Sequence, residues 1–338
     1  DYLSDAQTHT RGDRTFDATC SNWGNPISEM YLEAVRYLIG EGTPTSAFNV
    51  TSSSDDYGLP PADDWDDPMP VDEWCTPMNI VLLSSGDNDF DTDHLGTVPS
   101  VLGSIDTATD AIGVAEGFSG EVFIGEVGST PVLNPDTNIC TAKTFTSLSQ
   151  MRGLCPTSPN KQGGYAVAGL AYKSHTTDLR SDRKNDPVTG EGQTIDTYAI
   201  AMAKNLPDFV LPLGSGALTL VPIAYAGPTS STPEIDSAEW KSSSLAQLTI
   251  EEQIFDADGD LRYIRFLALW EDSAWGNDYD MDMVSRISMC VANECTTHDD
   301  DGDGTNDLNP GADTARVTIR FMHAEGGVSM KIGFVTSG

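Results

Sequence analysis

A short apolar run at residues 80–83, followed at once by hydroxyl and acidic side chains, most constrains what this chain can fold into. The run reads IVLL without a polar interruption, which is typical of a strand buried on both faces of a parallel sheet. It ends in Ser84, Ser85 and Gly86, and four aspartates then occupy alternate positions up to residue 93. In open α/β sheets ligands bind beyond the carboxyl ends of strands, and hydroxyl and carboxylate oxygens suit a hard cation. The stretch therefore has two interpretations, a cation site or an acidic, solvated loop.

Around this strand, residues 1–206 alternate between helical and strand patterns, which predicts an α/β domain. Apolar spacing predicts helices over 25–39, 101–115 and 164–177 and further strands over 122–124 and 194–202, with Asn25 as the first N-cap. Residues 41–74 and 128–163 lack an apolar period and predict long loops.

The pattern changes near residue 207, where short apolar or alternating segments begin to recur with turn residues between them. These segments cover residues 218–225, 263–270, 284–291, 315–322 and 330–335. Even spacing of this kind predicts an all-β, sandwich-like domain over residues 207–338.

The charge balance excludes several classes of partner. The chain has 52 acidic and 18 basic residues, a formal net charge of −34, which opposes binding to nucleic acid or to anionic lipid. No run approaches the ~18 apolar residues of a membrane span. The five histidines are scattered and no catalytic motif is present, so no enzyme activity is predicted. Such acidity fits a secreted or surface protein rich in calcium sites, or a protein that lives in salty water.

The strongest local motif is DDDGDGTND at residues 299–307. Its side chains match positions one, three, five, seven and nine of a calcium loop: Asp299, Asp301, Asp303, Thr305 and Asp307. Gly304 permits the sharp turn that lets alternate carboxylates converge on one cation. Pro310 stands where an EF-hand has its bidentate glutamate, so the pattern is nearer the loops of dockerins and thrombospondin repeats. An acidic turn that happens to alternate is the other interpretation.

Two less complete acidic ladders are further candidates for calcium. They comprise Asp256, Asp258 and Asp260, and Asp278, Asp280 and Asp282. Glu271 and Asp272 could add ligands, while the second ladder could equally be a strand with an acidic outer face.

Six cysteines in an acidic chain predict disulfides and an oxidising compartment. None forms a Cys-x-x-Cys pair, which argues against zinc. The predicted pairs are Cys20–Cys75, Cys140–Cys155 and Cys290–Cys295, the last two favoured by their short loops.

Several stretches, taken in order, resemble the PilC/PilY family of type IV pilus tip-associated proteins. They read CSNWGNPISEMYLEAVRY at 20–37, CTPMNIVLLSSG at 75–86, VAGLAYKSHTTDLR at 167–180, DTYAI at 196–200 and IGFVTSG at 332–338, together with residues 255–282. The resemblance implies a von Willebrand factor A-like (Rossmann-like) domain over 1–206 and a β-rich region after it. It also implies that the family's C-terminal propeller and first von Willebrand strand lie outside this chain, which we expect to be a mature or excised part. Ser85 stands where such a domain would place an aspartate, so we expect no metal-dependent adhesion site of the usual kind.

The resemblance and the acidic loops together predict a bacterial, extracellular, calcium-binding adhesin of the pilus tip. Its expected partners are minor pilin components of the type IV pilus or a host or abiotic surface. A calcium-stabilised structural subunit of a filament or surface layer is the alternative. A secreted hydrolase would need a convergent polar pocket that the sequence does not indicate.

Overall fold

The computed structural model describes residues 25–48, 64–71, 75–84, 88, 91, 95–128, 140–159, 163–201, 208–228, 240–271, 282–324 and 328–337. The chain divides into two compact units. Unit 1 comprises Asp1–Leu133, Thr141–Leu154 and Lys161–Lys204, and unit 2 comprises Asn134–Cys140, Cys155–Asn160 and Asn205–Gly338. The domain boundary predicted between residues 206 and 207 lies outside the described residues and stays a prediction.

Three α-helices lie in the described part of unit 1: α1 (Ile27–Leu38), α2 (Ile105–Ala115) and α3 (Ala166–Thr176). Each coincides with a helix predicted from apolar spacing. The second begins later than predicted, because Ser100–Leu102 form a separate 3₁₀ turn and Gly103 adopts a φ of 66°. The side chain of Ser104 then accepts the Thr107 N–H at 3.2 Å, which caps α2.

Strands β1 (Met78–Ser84) and β6 (Ile195–Ala201) pair in parallel, as their apolar runs predict. All three helices contribute side chains to one core with this pair. The fully buried members of that core include Tyr31, Leu32, Val35, Leu102, Leu170 and Ile195.

The prediction that β1 is buried on both faces is wrong. Its side chains alternate, with Met78 and Ile80 buried but Val81 and Leu83 exposed by 62% and 72%. The reason is that the helices supply a core to the face that carries Met78 and Ile80. Within the described residues, the opposite face keeps its apolar side chains accessible.

Two short antiparallel pairs complete the described strands of unit 1. Strand β2 (Gly120–Ile124) pairs with β4 (Thr141–Phe145), and β3 (Glu126–Val127) pairs with β5 (Met151–Arg152). They share a small core that includes Ile124, Phe145, Leu148 and Met151. The stretch 128–163, predicted as loops, thus also contains two short strands, β4 and β5.

Unit 2 is built on an antiparallel sheet of seven strands, in the order β12-β11-β10-β9-β8-β13 with β7 also on β8. The strands are β7 (Phe209–Leu213), β8 (Gly216–Pro228), β9 (Lys241–Phe255), β10 (Leu261–Glu271), β11 (Met283–Val291), β12 (Ala315–Ala324) and β13 (Val328–Ser337). The Phe209 ring stacks on Phe266 with centroids 4.6 Å apart, so β7 lies over β10 and the sheet encloses its own core. In coarse form the fold prediction is confirmed: unit 1 mixes helices and strands, and the described strands of unit 2 form one antiparallel sheet, whereas a sandwich of two sheets stays a prediction.

Two of the predicted disulfides are present, Cys140–Cys155 and Cys290–Cys295, with Cα atoms 5.9 and 5.1 Å apart. For the third pair, Cys20 lies outside the described residues, and the pairing with Cys75 stays a prediction. Among the described helices, none is long and apolar enough to cross a membrane.

Candidate cation-binding loop

Residues 299–307 form a tight loop that leads from the 3₁₀ turn Ala292–Thr297 towards β12. The carboxylate of Asp299 organises it, because it accepts the N–H groups of Gly302, Asp303 and Gly304 at 2.7, 3.1 and 3.0 Å. Gly302 and Gly304 adopt φ values of 74° and 89°, a region that costs residues with a Cβ about 1–2 kcal/mol. A Cβ on Gly302 would also lie 2.6 Å from a guanidinium nitrogen of Arg320. The two glycines therefore allow the backbone to wrap around Asp299.

Three of the predicted ligands converge. Carboxylate oxygens of Asp299, Asp301 and Asp303 lie within 4.8 Å of one another, and all three residues are exposed. Thr305 donates its N–H and its hydroxyl to Asp303 Oδ1 at 2.8 and 2.6 Å, which lowers the pKa of Asp303. The carboxylate of Asp303 therefore carries negative charge near neutral pH. Oxygen donors such as these three carboxylates fit a hard divalent cation.

The fourth predicted acidic ligand, Asp307, does not join them. Its side chain is almost fully buried, and its Oδ1 lies 2.7 Å from Arg316 Nη2 in an ion pair. Its Oδ2 accepts the Asp300 N–H at 3.4 Å. Burial is the main cause that raises the pKa of Asp307 above its ordinary value. The loop thus presents three converging carboxylates and holds the fourth against an arginine.

Tyr263 and its neighbours, which include a disulfide, contact the loop. The Tyr263 hydroxyl donates to Asp300 Oδ1 at 2.8 Å, and its ring stacks on His298 with centroids 3.7 Å apart. Tyr263 is buried with Cys290 and Cys295, and burial raises the pKa of its phenol. Sequence reasoning missed Tyr263 and Arg316 because the register of β10, β11 and β12 brings them together: Tyr263 pairs with Cys290, and Cys290 with Arg316.

The two other acidic ladders do not form a comparable group within the described residues. Asp256, Asp258 and Asp260 occupy the exposed turn between β9 and β10, where the Asp256 side chain accepts the N–H groups of the other two at 3.0 Å. Asp278 and Asp280 lie outside the described residues. Asp282 is buried immediately before β11.

At the carboxyl end of β1, the described polar side chains make hydrogen bonds within the fold, whereas Ser85, Asp87, Asp89 and Asp93 lie outside the described residues and the predicted cation site there stays a prediction. Asp91 is fully buried and accepts both the N–H and the hydroxyl of Ser28, at the start of α1, and an N–H of Asn88. The predicted cap residue Asn25 instead donates to Ser84 Oγ at 2.9 Å. Donors thus contact both oxygens of Asp91, so this carboxylate caps α1 from a distant loop.

Comparison with known proteins gives two matches. The family model described as "PilY1 homolog, second domain" matches residues 2–174. The chain is also 26% identical over 353 residues to the type IV pilus biogenesis factor PilY1 homolog of Xylella fastidiosa (strain Temecula1 / ATCC 700964). That alignment covers 95% of this chain but 22% of the relative, so the chain spans about a fifth of the relative's length. No solved structure matches.

Proposed function

Because the chain belongs to the PilY1 family, whose second-domain model matches residues 2–174, we propose that it is part of an extracellular protein associated with the type IV pilus and that it binds calcium. The observation that carries the calcium proposal is the convergence of Asp299, Asp301 and Asp303 within 4.8 Å. The relative named as a type IV pilus biogenesis factor supports the association with the pilus. The proposed role is binding rather than catalysis.

Calcium is the preferred cation for this loop on chemical grounds. It accepts six to eight oxygen ligands at about 2.3–2.6 Å in flexible geometry, and exposed extracellular loops bind it at about 10⁻⁴–10⁻³ M. Magnesium demands a near-ideal octahedron and gives up its waters reluctantly. A loop with three carboxylates and open access to solvent leaves the remaining positions to backbone oxygen and water, which calcium tolerates better.

For the fold of unit 1, we propose a von Willebrand factor A-like arrangement. The parallel β1–β6 pair and the helices packed against it support this arrangement, because parallel strands occur almost only in α/β folds whose helices cover the sheet. An experimental structure of the longer protein should then show further parallel strands beside this pair. A pair that remains two-stranded in that structure would contradict the arrangement.

The proposed biological role is adhesion at the pilus tip, with minor pilin components or a host or abiotic surface as partners. Localisation at the bacterial cell surface follows from this role. The alternative, a calcium-stabilised structural subunit of a filament or surface layer, is favoured by the same acidic loop. Immunogold labelling of intact cells separates the two, because an adhesin labels pilus ends and a structural subunit labels a continuous fibre or layer.

The calcium proposal is tested by isothermal calorimetry and thermal unfolding of the natural chain and the double variant Asp299→Asn/Asp301→Asn. We expect binding at about 10⁻⁴–10⁻³ M and, at ten times Kd, stabilisation of about 1.4 kcal/mol in the natural chain. The double variant should lose both effects. Asp256→Asn/Asp258→Asn removes the same charge from the β9–β10 turn and is the matched control, expected to bind as the natural chain does. Absence of binding heat at millimolar calcium would contradict the calcium proposal.

A further inference from the structure

One guanidinium contacts two carboxylates of the candidate loop. Arg316 lies near the start of β12, and its Nη2 is 2.7 Å from Asp307 Oδ1 and 3.4 Å from Asp301 Oδ2. The side chain of Arg316 is 30% exposed, whereas that of Asp307 is 2% exposed. The stronger of the two ion pairs is therefore shielded from water, where screening is weak.

This contact changes which oxygens the loop can offer to a cation. Asp301 belongs to the converging group, but one of its oxygens faces the guanidinium. Asp307 would be the ninth-position ligand, yet its oxygens contact Arg316 and the Asp300 N–H. A divalent cation that engaged Asp307 would have to displace the arginine. A cation that left the arginine in place would bind beside a fixed positive charge, and like charges repel at this range.

We infer that Arg316 is a built-in competitor of the divalent cation and sets the affinity of the loop. The inference rests on the proposed function, because it concerns the same calcium loop. In the metal-free loop Arg316 neutralises Asp307 and part of Asp301, which limits the repulsion between the clustered aspartates. Its charge also holds the calcium affinity below what four carboxylates would give, since affinity in such loops follows the number of charged ligands.

The test is calcium titration of Arg316→Gln, with calcium alone as the probe, followed by calorimetry and by melting temperature in chelator and in calcium. We expect calcium affinity to rise by about tenfold, because a carboxylate is released and a positive charge is removed. In chelator the melting temperature should fall, because Asp307 is left buried without its counter-ion. Arg286→Gln is the matched control: Arg286 is equally exposed at 30% and pairs with Glu251, which is not one of the loop carboxylates. Its calcium affinity should stay within about twofold of the natural value.

Three further variants keep the test decisive if Arg316→Gln folds poorly without calcium. Asp307→Asn alone should alter affinity far less than Asp303→Asn, because Arg316 already engages Asp307. In the double variant Arg316→Gln/Asp307→Asn, most of the gain produced by Arg316→Gln should disappear. If the natural chain binds calcium and Arg316→Gln binds equally or more weakly, the competitor role is overturned while the calcium site stands. If neither protein binds calcium, both the competitor role and the calcium site are overturned.

Discussion

At the scale of single residues, one strongly perturbed carboxylate is Asp67, whose pKa is lowered to about 2. The first cause is the hydrogen bonding from Arg180, whose two terminal nitrogens donate to Asp67 at 2.9 and 2.7 Å. Arg180 is itself 1% exposed and also donates to Asp182 and to the Leu38 carbonyl at the end of α1. One buried arginine thus ties two acidic loops to the first helix.

This network predicts acid sensitivity in unit 1. A carboxyl group whose folded pKa is depressed stabilises the fold above its unfolded pKa and loses that contribution as pH falls towards the folded value. The difference in unfolding free energy between the natural chain and Asp67→Asn should therefore be constant above about pH 5 and shrink towards pH 2. Urea denaturation at a series of pH values measures it. Asp66→Asn, at an exposed neighbouring position, is the control, and an equal pH dependence in both variants would rule out the network as the cause.

At the scale of elements, α1 shows how a helix can depend on a distant residue. Its N-cap position is Pro26, which makes no side-chain cap, and the buried carboxylate of Asp91 instead accepts the Ser28 N–H and hydroxyl. Asp91→Ala should cost about 0.5–2 kcal/mol of unfolding free energy, the range for loss of a capping side chain. Asp106→Asn, in the exposed first turn of α2, should cost less because water solvates that carboxylate.

Hydrogen exchange identifies where the loss occurs. In Asp91→Ala the amides of the first turn of α1 should exchange faster than those of α2, whereas a uniform increase across both helices would contradict a capping role.

Much of the element content could be predicted from the sequence, because α1, α3, β1, β6 and five strands of unit 2 have clear apolar periods. Strand β9 could not, since Ser242, Ser243 and Ser244 are buried polar residues inside it. Two contacts of this strand come from elsewhere in the chain: Ser242 Oγ accepts the Cys140 N–H at 2.7 Å, and Leu245 donates its N–H to the Pro156 carbonyl at 2.9 Å. A disulfide-linked segment thus supplies hydrogen bonds that no local pattern reveals.

The same distinction applies to the candidate loop. The spacing of the aspartates was enough to predict that Asp299, Asp301 and Asp303 could converge, because the wrap is local and two glycines permit it. The separation of Asp307 from that group depends on Arg316, which stands on the following strand. Charges brought together by strand register are the part of a site that spacing along the sequence cannot give.

At the scale of the whole molecule, a formal charge of −34 separates general from specific effects of cations. Clustered negative charge disfavours the compact state through self-repulsion, and any added salt screens it. At 0.15 M ionic strength the Debye length is about 8 Å, so most exposed repulsion is already reduced. A divalent cation that acts only by screening should therefore have little further effect at millimolar concentration.

Calcium bound at residues 299–307 should behave differently from salt, because it stabilises only the folded part that contains the loop. In 0.15 M sodium chloride, added millimolar calcium should slow hydrogen exchange in β10, β11 and β12 of unit 2 and leave β1 and α1 of unit 1 unchanged. Magnesium at the same concentration should slow exchange less, because an open loop does not provide the octahedral coordination that magnesium requires. Sodium chloride raised from low concentration should instead protect both units. If calcium and magnesium protect both units alike, the effect is screening, and a calcium-specific loop is contradicted.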